Sequence, residues 1–194
     1  MTTLLISGSP SFPSRSTRLL EVYGEQLSGL GHDISRLALR NLPAQALLLA
    51  DASHPELEAA LKMVDDADAI VIATPVYKAA YSGLLKIFLD VLPQEGLLGK
   101  IVQPLATGGS QSHMLMLDYA LRPVLSSMSA RQILPSIYAI DQQIQSTERG
   151  GTQLELNLDY RINQGALHLA QSLLALQAMH NITTLHTHRT ATYG

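Results

Sequence analysis

Residues 68–75 read DAIVIATP, and this apolar segment predicts the most deeply buried strand of the chain. Five consecutive apolar residues, three of them β-branched, run up to Thr74 and Pro75. A short apolar run that ends at a turn residue is typical of a strand covered on both faces. We therefore expect helices on both sides of the sheet to which this segment belongs.

The rest of the chain alternates between strand-like and helix-like segments. The predicted strands are residues 3–7, 32–39, 68–75, 100–109 and 132–140. The predicted helices are residues 16–30, 56–67, 82–92, 112–128 and 154–178, with a polar loop at 141–153. Strands that are each followed by a helical segment predict an α/β fold with a parallel sheet between two helical layers. We assign residues 1–178 to one domain and residues 179–194 to a polar, mobile tail.

The composition narrows the class of protein. The chain of 194 residues has no cysteine, which excludes disulfides, thiolate metal sites and a cysteine nucleophile. A formal net charge of -3 does not suit a nucleic-acid-binding surface. The apolar stretches are too short to span a bilayer, and the N-terminus lacks the basic start of a signal peptide. We expect a cytoplasmic protein that binds neither nucleic acid nor membrane.

Three strand ends carry the segments richest in glycine, serine, threonine and proline. They read GSPSFPSRS (8–16), TPVYKAAYSG (74–83) and TGGSQSH (107–113). Ligands of open parallel sheets bind beyond the carboxyl ends of the strands, near the point where the strand order reverses. The agreement between topology and composition predicts a ligand site formed by these three loops.

The first loop has the groups of a phosphate site. It offers backbone N–H groups, four serine hydroxyls and Arg15 just before a predicted helix. It lacks the Gly-Lys-Ser/Thr of a P-loop and the second glycine of the dinucleotide fingerprint, and the second strand has no acidic residue at its end. These features favour a terminal monophosphate, as in FMN, over NAD bound in the usual Rossmann mode. The alternative is a tight turn with no ligand.

The other two loops suit a flat heterocycle. Pro75 lacks an N–H, and the peptide groups after it can face a ligand edge. Gly108 and Gly109 allow close approach of the backbone, because they have no side chains. The isoalloxazine ring of a flavin is a heterocycle of this kind.

Four segments, GSPSFPSRS, ATPVYKAAYSG, LATGGSQSH and LDYALRPVL, together resemble the NADPH-dependent FMN reductases of two-component alkanesulfonate monooxygenase systems. The resemblance covers residues 4–140 and implies a flavodoxin-like three-layer sandwich with a five-stranded parallel sheet of order 2-1-3-4-5. It also implies hydride transfer from NADPH to FMN and delivery of reduced FMN to a flavin-dependent alkanesulfonate monooxygenase.

The resemblance also implies which residues bind the flavin. No catalytic residue is assigned, since hydride transfer is the chemistry of the two cofactors themselves. Lys78 is a candidate for tuning flavin transfer. The alternative interpretation is that Lys78 is simply a solvated lysine of the loop. The residues implied for the phosphate are Ser9, Ser14, Arg15 and Ser16; those for the ring and ribityl chain are Pro75, Val76, Tyr77 and Lys78; those for the other side of the flavin are Thr107, Gly108, Gly109 and Ser110.

The segment LDYALRPVL predicts an irregular helix. Pro123 cannot donate a hydrogen bond to the carbonyl of Tyr119. The resemblance adds a one-residue π-type insertion at this point, with Tyr119 near the flavin at a tetramer interface, and hence a homo-oligomer, dimer or tetramer. Tyr119 is therefore a second candidate for tuning flavin transfer. The alternative is a proline-kinked surface helix.

Other functions remain as alternatives. A quinone, azo-dye or chromate reductase of the same superfamily has similar loops, and a non-catalytic flavodoxin-like electron carrier would normally be more acidic. A serine hydrolase is disfavoured, because GGSQS (108–112) has Ser112 where the nucleophile elbow has its last glycine. His180, His186 and His188 lie in the tail without a nearby cysteine or carboxylate, so we predict no metal site.

Overall fold

The central sheet has the predicted strand order. The computed structural model describes residues 1–147 and 151–190, with side chains as far as residue 179. The strands of the main sheet are β1 (Thr2–Ser7), β2 (Asp33–Ala38), β3 (Ala69–Tyr77), β4 (Ala80–Tyr81), β5 (Ile101–Gly108), β6 (Gln132–Ile133) and β7 (Ile137–Ile140). The order is β2-β1-β3-β5, with β6 and β7 sharing the next position, and these strands are parallel. This confirms the order 2-1-3-4-5 and the flavodoxin-like α/β sandwich.

Helices cover both faces of the sheet. They are α1 (Arg15–Gly29), α2 (Ala44–Leu48), α3 (Pro55–Asp65), α4 (Gly83–Val91), α5 (Arg122–Ser127) and α6 (Leu156–Thr190). Ile70 and Ile72 of β3 pack in a core with residues of α2, α3, α4 and α5, while Val71 and Ala73 pack in a second core with residues of α1 and α6. Successive side chains of a strand point to opposite faces, so the apolar run at 69–73 supplies both cores.

The fifth predicted strand is interrupted. The structure has β6 and β7 where the sequence predicts one strand at 132–140, because Pro135 lacks the N–H that would continue the ladder. The buried Gln103 of β5 donates from Nε2 to the carbonyl oxygens of Pro135 (2.9 Å) and Pro104 (3.1 Å). The Tyr23 hydroxyl donates to Gln103 Oε1 at 3.3 Å. One buried amide side chain thus supplies hydrogen bonds at the point where the backbone pairing of the strand is interrupted.

The segment at 141–153 is not the plain loop that the sequence predicts. It contains a 3-10 turn at Asp141–Gln143 and an antiparallel pair, β8 (Ile144–Ser146) and β9 (Thr152–Leu154). Residues 148–150 lie outside the described part of the chain. Ile144 is buried in the α1–α6 core, which makes this hairpin part of the folded domain.

The last helix is longer than predicted. It begins at Leu156 rather than residue 154 and continues to Thr190, past the predicted end at residue 178. No glycine or proline occurs in residues 166–190, so nothing in the local sequence ends it. Residues 191–194 and the side chains of His180, His186 and His188 lie outside the described residues, and the mobility of the tail stays a prediction.

Within residues 1–147 and 151–190, no helix is both long and apolar enough to cross a membrane. Among the described side chains, those of residues 1–147 and 151–179, no cluster of three or more histidine, aspartate or glutamate residues could hold a metal ion.

Candidate functional site

A cleft of about 260 Å³ lies at the carboxyl ends of β1, β3 and β5. All three loops that the sequence singles out contribute to its walls. Nine predicted site residues line it: Ser9, Ser14, Arg15, Pro75, Val76, Tyr77, Thr107, Gly108 and Gly109. Ser11, Pro13 and Asp141 also line it, whereas the predicted Ser16, Lys78 and Ser110 do not.

The serines of the first loop are held in place by one another. Ser14 is the N-cap of α1 and accepts a hydrogen bond from the N–H of Thr17 at 3.3 Å. Its hydroxyl also lies 3.0 Å from that of Ser16, a buried residue whose hydrogen bond helps to hold the Ser14 side chain in place. The buried Ser9 hydroxyl accepts from the N–H of Ser11 at 3.2 Å. The loop therefore presents fixed hydroxyls beside the N-terminus of α1, where a helix attracts anions.

Arg15 is paired with a carboxylate. Its Nη1 lies 3.5 Å from Oδ2 of Asp141, the first residue after β7. Both side chains are substantially exposed, so water screens the pair and an anion can compete for the guanidinium. Asp141 was not among the predicted site residues, although its position just after a strand of the parallel sheet was a usable signal.

The second loop is a tight hairpin. Val76 and Tyr77 pair with Tyr81 and Ala80, and the two turn residues Lys78 and Ala79 have φ values of +50° and +61°. Left-handed backbone at residues other than glycine costs roughly 1–2 kcal/mol each. Lys78 is therefore an exposed residue at a strained turn and does not line the cleft.

Tyr77 forms part of the opposite wall. Its ring is partly exposed, and its hydroxyl lies 3.4 Å from that of Ser11 in the first loop. The contact joins two of the three loops across the cleft.

The two glycines of the third loop differ in their surroundings. A Cβ atom on Gly108 would lie 2.4 Å from the Tyr138 hydroxyl, whereas one on Gly109 would point into open space. The Tyr138 hydroxyl donates to the carbonyl of Ser110 at 2.7 Å. Burial raises the pKa of Tyr138, and the charge of Asp141 adds to the effect, so the phenol stays a donor. Gly108 is required by internal packing, while Gly109 leaves room for a ligand.

Ser110 caps the short turn that follows. Its hydroxyl donates to that of Ser112 at 3.2 Å and accepts from the N–H of Ser112 at 3.3 Å. Ser110 and His113 are joined by a backbone hydrogen bond, from the N–H of His113 to the carbonyl of Ser110 at 3.3 Å. Among the described residues no side-chain hydrogen bond joins them, so this structure does not pair them as nucleophile and base.

Ser82 connects the first two loops and was missed by the sequence analysis. Its hydroxyl donates to the carbonyl of Gly8 at 2.5 Å and, as the N-cap of α4, accepts from the N–H of Leu85 at 3.1 Å. Its own N–H donates to Thr74 Oγ1 at 3.0 Å. A serine directly before a predicted apolar helix is an N-cap signal, but its contact with Gly8 depends on the tertiary fold.

The irregular helix is present where it was predicted. Leu117–Leu121 form a π-helix with Tyr119 at its centre, and Pro123 follows in the first turn of α5. Tyr119 is 79% exposed and does not line the cleft of this chain.

Known proteins resemble the chain over most of its length. Residues 1–145 match the family described as NADPH-dependent FMN reductase. An "FMN reductase (NADPH)" of Escherichia coli (strain K12) is 47% identical over 144 residues, which are 74% of this chain and 75% of that protein. A Pseudomonas putida protein of the same name is 45% identical over 148 residues, 76% of this chain and 75% of that one.

A solved structure agrees with these relatives. The apo form of an NADH:FMN oxidoreductase called EMOB has a TM-score of 0.80 and 37% identity, covering 88% of this chain and 89% of the other. The family match includes all three loops of the cleft and the π-helix. The chain therefore belongs to the NADPH-dependent FMN reductase family.

Proposed function

We propose that the cleft binds FMN, with the phosphate on the first loop and the ring between the second and third loops. The observation that carries this proposal is the convergence of the three loops in one cleft. Hydroxyls, backbone N–H groups and a guanidinium are the donors that a phosphate dianion accepts. The open space beside Gly109 leaves room for a flat ring. The residues present therefore fit the cofactor of the family.

The protein contributes binding and orientation. FMN, when bound, supplies a ring that takes up a hydride from NADPH. Arg15 and the serines of the first loop hold the phosphate, and Tyr138 fixes the third loop through the carbonyl of Ser110. Tyr77 and Val76 shield one side of the ring from water. Lys78 lies at the exposed turn beside them and outside the lining of the cleft, and from there it would supply positive charge to a bound flavin or to the phosphate of NADPH.

The purified enzyme tests the proposal. The rate of NADPH oxidation should depend on the concentration of FMN and saturate with it. The rate with NADH in place of NADPH gives the coenzyme preference. Rates of NADPH oxidation with quinones and azo dyes as acceptors distinguish an FMN reductase from a reductase of those substrates. Faster turnover with a quinone than with FMN at equal concentration would contradict the assignment. Tight binding of FMN without oxidation of NADPH would indicate an electron carrier instead.

We further propose that the reduced FMN serves a flavin-dependent alkanesulfonate monooxygenase in the cytoplasm. Two features support this step: the four segments that resemble reductases of such systems, and the π-helix at Leu117–Leu121 that the resemblance implies. Sulfite release from an alkanesulfonate by such a monooxygenase should depend on this protein, NADPH and FMN together. Release that is equally efficient with an unrelated flavin reductase would argue against a dedicated pair.

The π-helix is also the proposed contact between copies of this chain. Tyr119 is exposed at its centre, where an interface would cover it. Tyr119→Ala should change the elution volume of the protein or its FMN affinity. Unchanged elution, FMN affinity and turnover would exclude Tyr119 from both roles.

A further inference from the structure

A small cavity lies between the break in the fifth predicted strand and the helix α6. It measures about 290 Å³, and we call it the α6 cavity: its lining includes Pro135, Ile137, Tyr160, Arg161, Gln164 and His168. It shares no lining residue with the cleft proposed to bind FMN. Its volume is just below the usual range of small-molecule pockets, roughly 300–1,000 Å³, so it admits only a small ligand.

The cavity follows from the way α6 packs against β7. A Cβ atom on Gly165 would lie 2.7 Å from Cδ1 of Ile137 and 3.2 Å from the ring of Tyr23, so this glycine lets the helix approach the sheet closely. Arg161, Gln164 and His168 lie three or four residues apart, which places them on one face of the helix. Residues 134–136, between β6 and β7, belong to neither strand and leave space beside that face.

Arg161 is the charged group of the cavity. It is half-buried, and it donates from Nε to Asn157 Oδ1 at 3.1 Å and from Nη1 to the carbonyl of Tyr138 at 2.8 Å. Among the described residues no carboxylate lies within 4.0 Å of its guanidinium. The charge of Glu155 acts on it from farther away, and the Glu155 carboxylate itself accepts from Gln143. A partly buried guanidinium without a close counter-charge favours the binding of an anion.

Other polar groups of the lining also lack partners. The Ser136 hydroxyl oxygen is buried and has no hydrogen-bond partner among the described residues, which costs roughly 1–3 kcal/mol. Gln164 and His168 are exposed, and their side chains make no hydrogen bond within the described part of the chain. By contrast, the buried Gln103 uses its amide N–H groups on the carbonyls of Pro104 and Pro135. The groups open to a ligand are therefore those of α6 and Ser136.

The rest of the lining is apolar. It comprises Pro135, Ile137 and the ring of Tyr160, a side chain that is 64% exposed. A ligand that suits both parts of the cavity has a short apolar chain and an anionic head group. The single guanidinium favours a head group with one negative charge, and it can donate two hydrogen bonds to the oxygens of such a group.

We propose that the α6 cavity binds a small organic acid, a short alkyl chain that carries a carboxylate or sulfonate group. The head group pairs with Arg161, and Gln164 and His168 are further donors to it. The alkyl chain lies against Pro135, Ile137 and Tyr160. This site is separate from the cleft, and the proposal does not depend on the binding of FMN.

Calorimetric titration of the full, flavin-free chain with sodium butanesulfonate and with sodium butyrate, at constant ionic strength, tests the proposal. At least one of the two acids should bind with a Kd below about 1 mM. Sulfate has only an anionic group and 1-butanol has only the chain, so both should bind at least tenfold more weakly. The ratio of the two Kd values shows whether the cavity prefers a sulfonate or a carboxylate.

Gln164→Glu adds a negative charge to the lining at an exposed position. It should leave the Tm unchanged and weaken the acid at least fivefold, because like charges repel. Gln177→Glu is the matched control: it is the same change at an exposed residue of α6, about 20 Å farther along the helix and beyond the Debye length. It should change the Kd less than twofold.

Arg161→Gln should weaken the acid at least tenfold, because it removes the cation. This variant also loses the hydrogen bond to the Tyr138 carbonyl, so its Tm is measured alongside. If it does not fold, Gln164→Glu decides the question.

Four outcomes would overturn the proposal. They are no binding of either acid up to about 10 mM, equal binding by the wild type and Gln164→Glu, strict competition between the acid and FMN, and binding of sulfate as tight as that of the acids. Competition would place the acid in the cleft, and tight sulfate would indicate an adventitious ion only. The titration needs no flavin, so its failure is distinct from failure of the proposed function, in which the protein binds no FMN.

Discussion

The hydroxyl of Ser82 donates a 2.5 Å hydrogen bond to the carbonyl of Gly8 and thereby fastens the start of α4 to the loop that follows β1. The same hydroxyl caps α4. One buried serine thus fixes the relative positions of two loops of the cleft proposed to bind FMN, although Ser82 itself does not line that cleft.

Ser82→Ala should destabilise the protein by about 1–3 kcal/mol, because it removes a helix cap and leaves the Gly8 carbonyl without its partner. FMN affinity should also fall, since the first loop loses its attachment. Ser28→Ala, at an exposed position near the end of α1, is the control and should change stability by less than about 0.5 kcal/mol. Urea unfolding measures both; equal stability of the two variants would contradict this role of Ser82.

Gly108→Ala should lower the stability of the protein, whereas Gly109→Ala should lower its affinity for FMN. The Cβ atom on Gly108 would collide with the Tyr138 hydroxyl, so this variant should lose stability whether or not flavin is present. Gly109→Ala should keep the Tm of the ligand-free protein and weaken FMN binding, because its Cβ occupies the space left for the ring. Thermal unfolding with and without FMN separates them. Tyr138→Phe should partly restore the stability of Gly108→Ala.

Arg15→Ala and Asp141→Asn should change the Kd of FMN in opposite directions. Arg15→Ala should raise the Kd of FMN more than it slows hydride transfer at saturating flavin. Asp141→Asn should lower the Kd by a few fold, because an exposed ion pair is worth about 0–1 kcal/mol and its loss frees the guanidinium. Titration of FMN into each variant measures the change. Weaker binding in Asp141→Asn would show that the carboxylate helps to hold Arg15 in its binding position.

Stability should decrease above pH 10, partly because of Tyr23. Burial raises the pKa of Tyr23 above its usual value. The unfolded chain therefore releases this proton first, so the contribution of Tyr23 to stability is complete below about pH 10 and decreases as the pH rises, by up to about 1.4 kcal/mol per pH unit. Tyr23→Phe should give a shallower decrease in the free energy of unfolding between pH 10 and 11. Parallel curves for the two proteins would contradict this.

Much of the site could be predicted from local sequence. The apolar run at 69–73 indicated a strand buried on both faces, and the loops after three such strands carried the small residues that line the cleft. Pro123 predicted the irregular helix, because the missing N–H is a local property. The prediction of one strand at 132–140 was wrong at Pro135, where the strand is interrupted and the side chain of Gln103 from a neighbouring strand bonds the Pro135 carbonyl.

The sequence by itself determined the α/β class, the strand order through a recognised resemblance, and the three loops of the site. These follow from hydrophobic periodicity and from residues whose backbone preferences act locally. Only the tertiary structure brought Asp141 to Arg15, Ser82 to Gly8 and the β8–β9 hairpin to Arg18. Each of those contacts joins residues more than 70 positions apart, so no local pattern encodes them. They depend on how the sheet and the two cores place the loops in space.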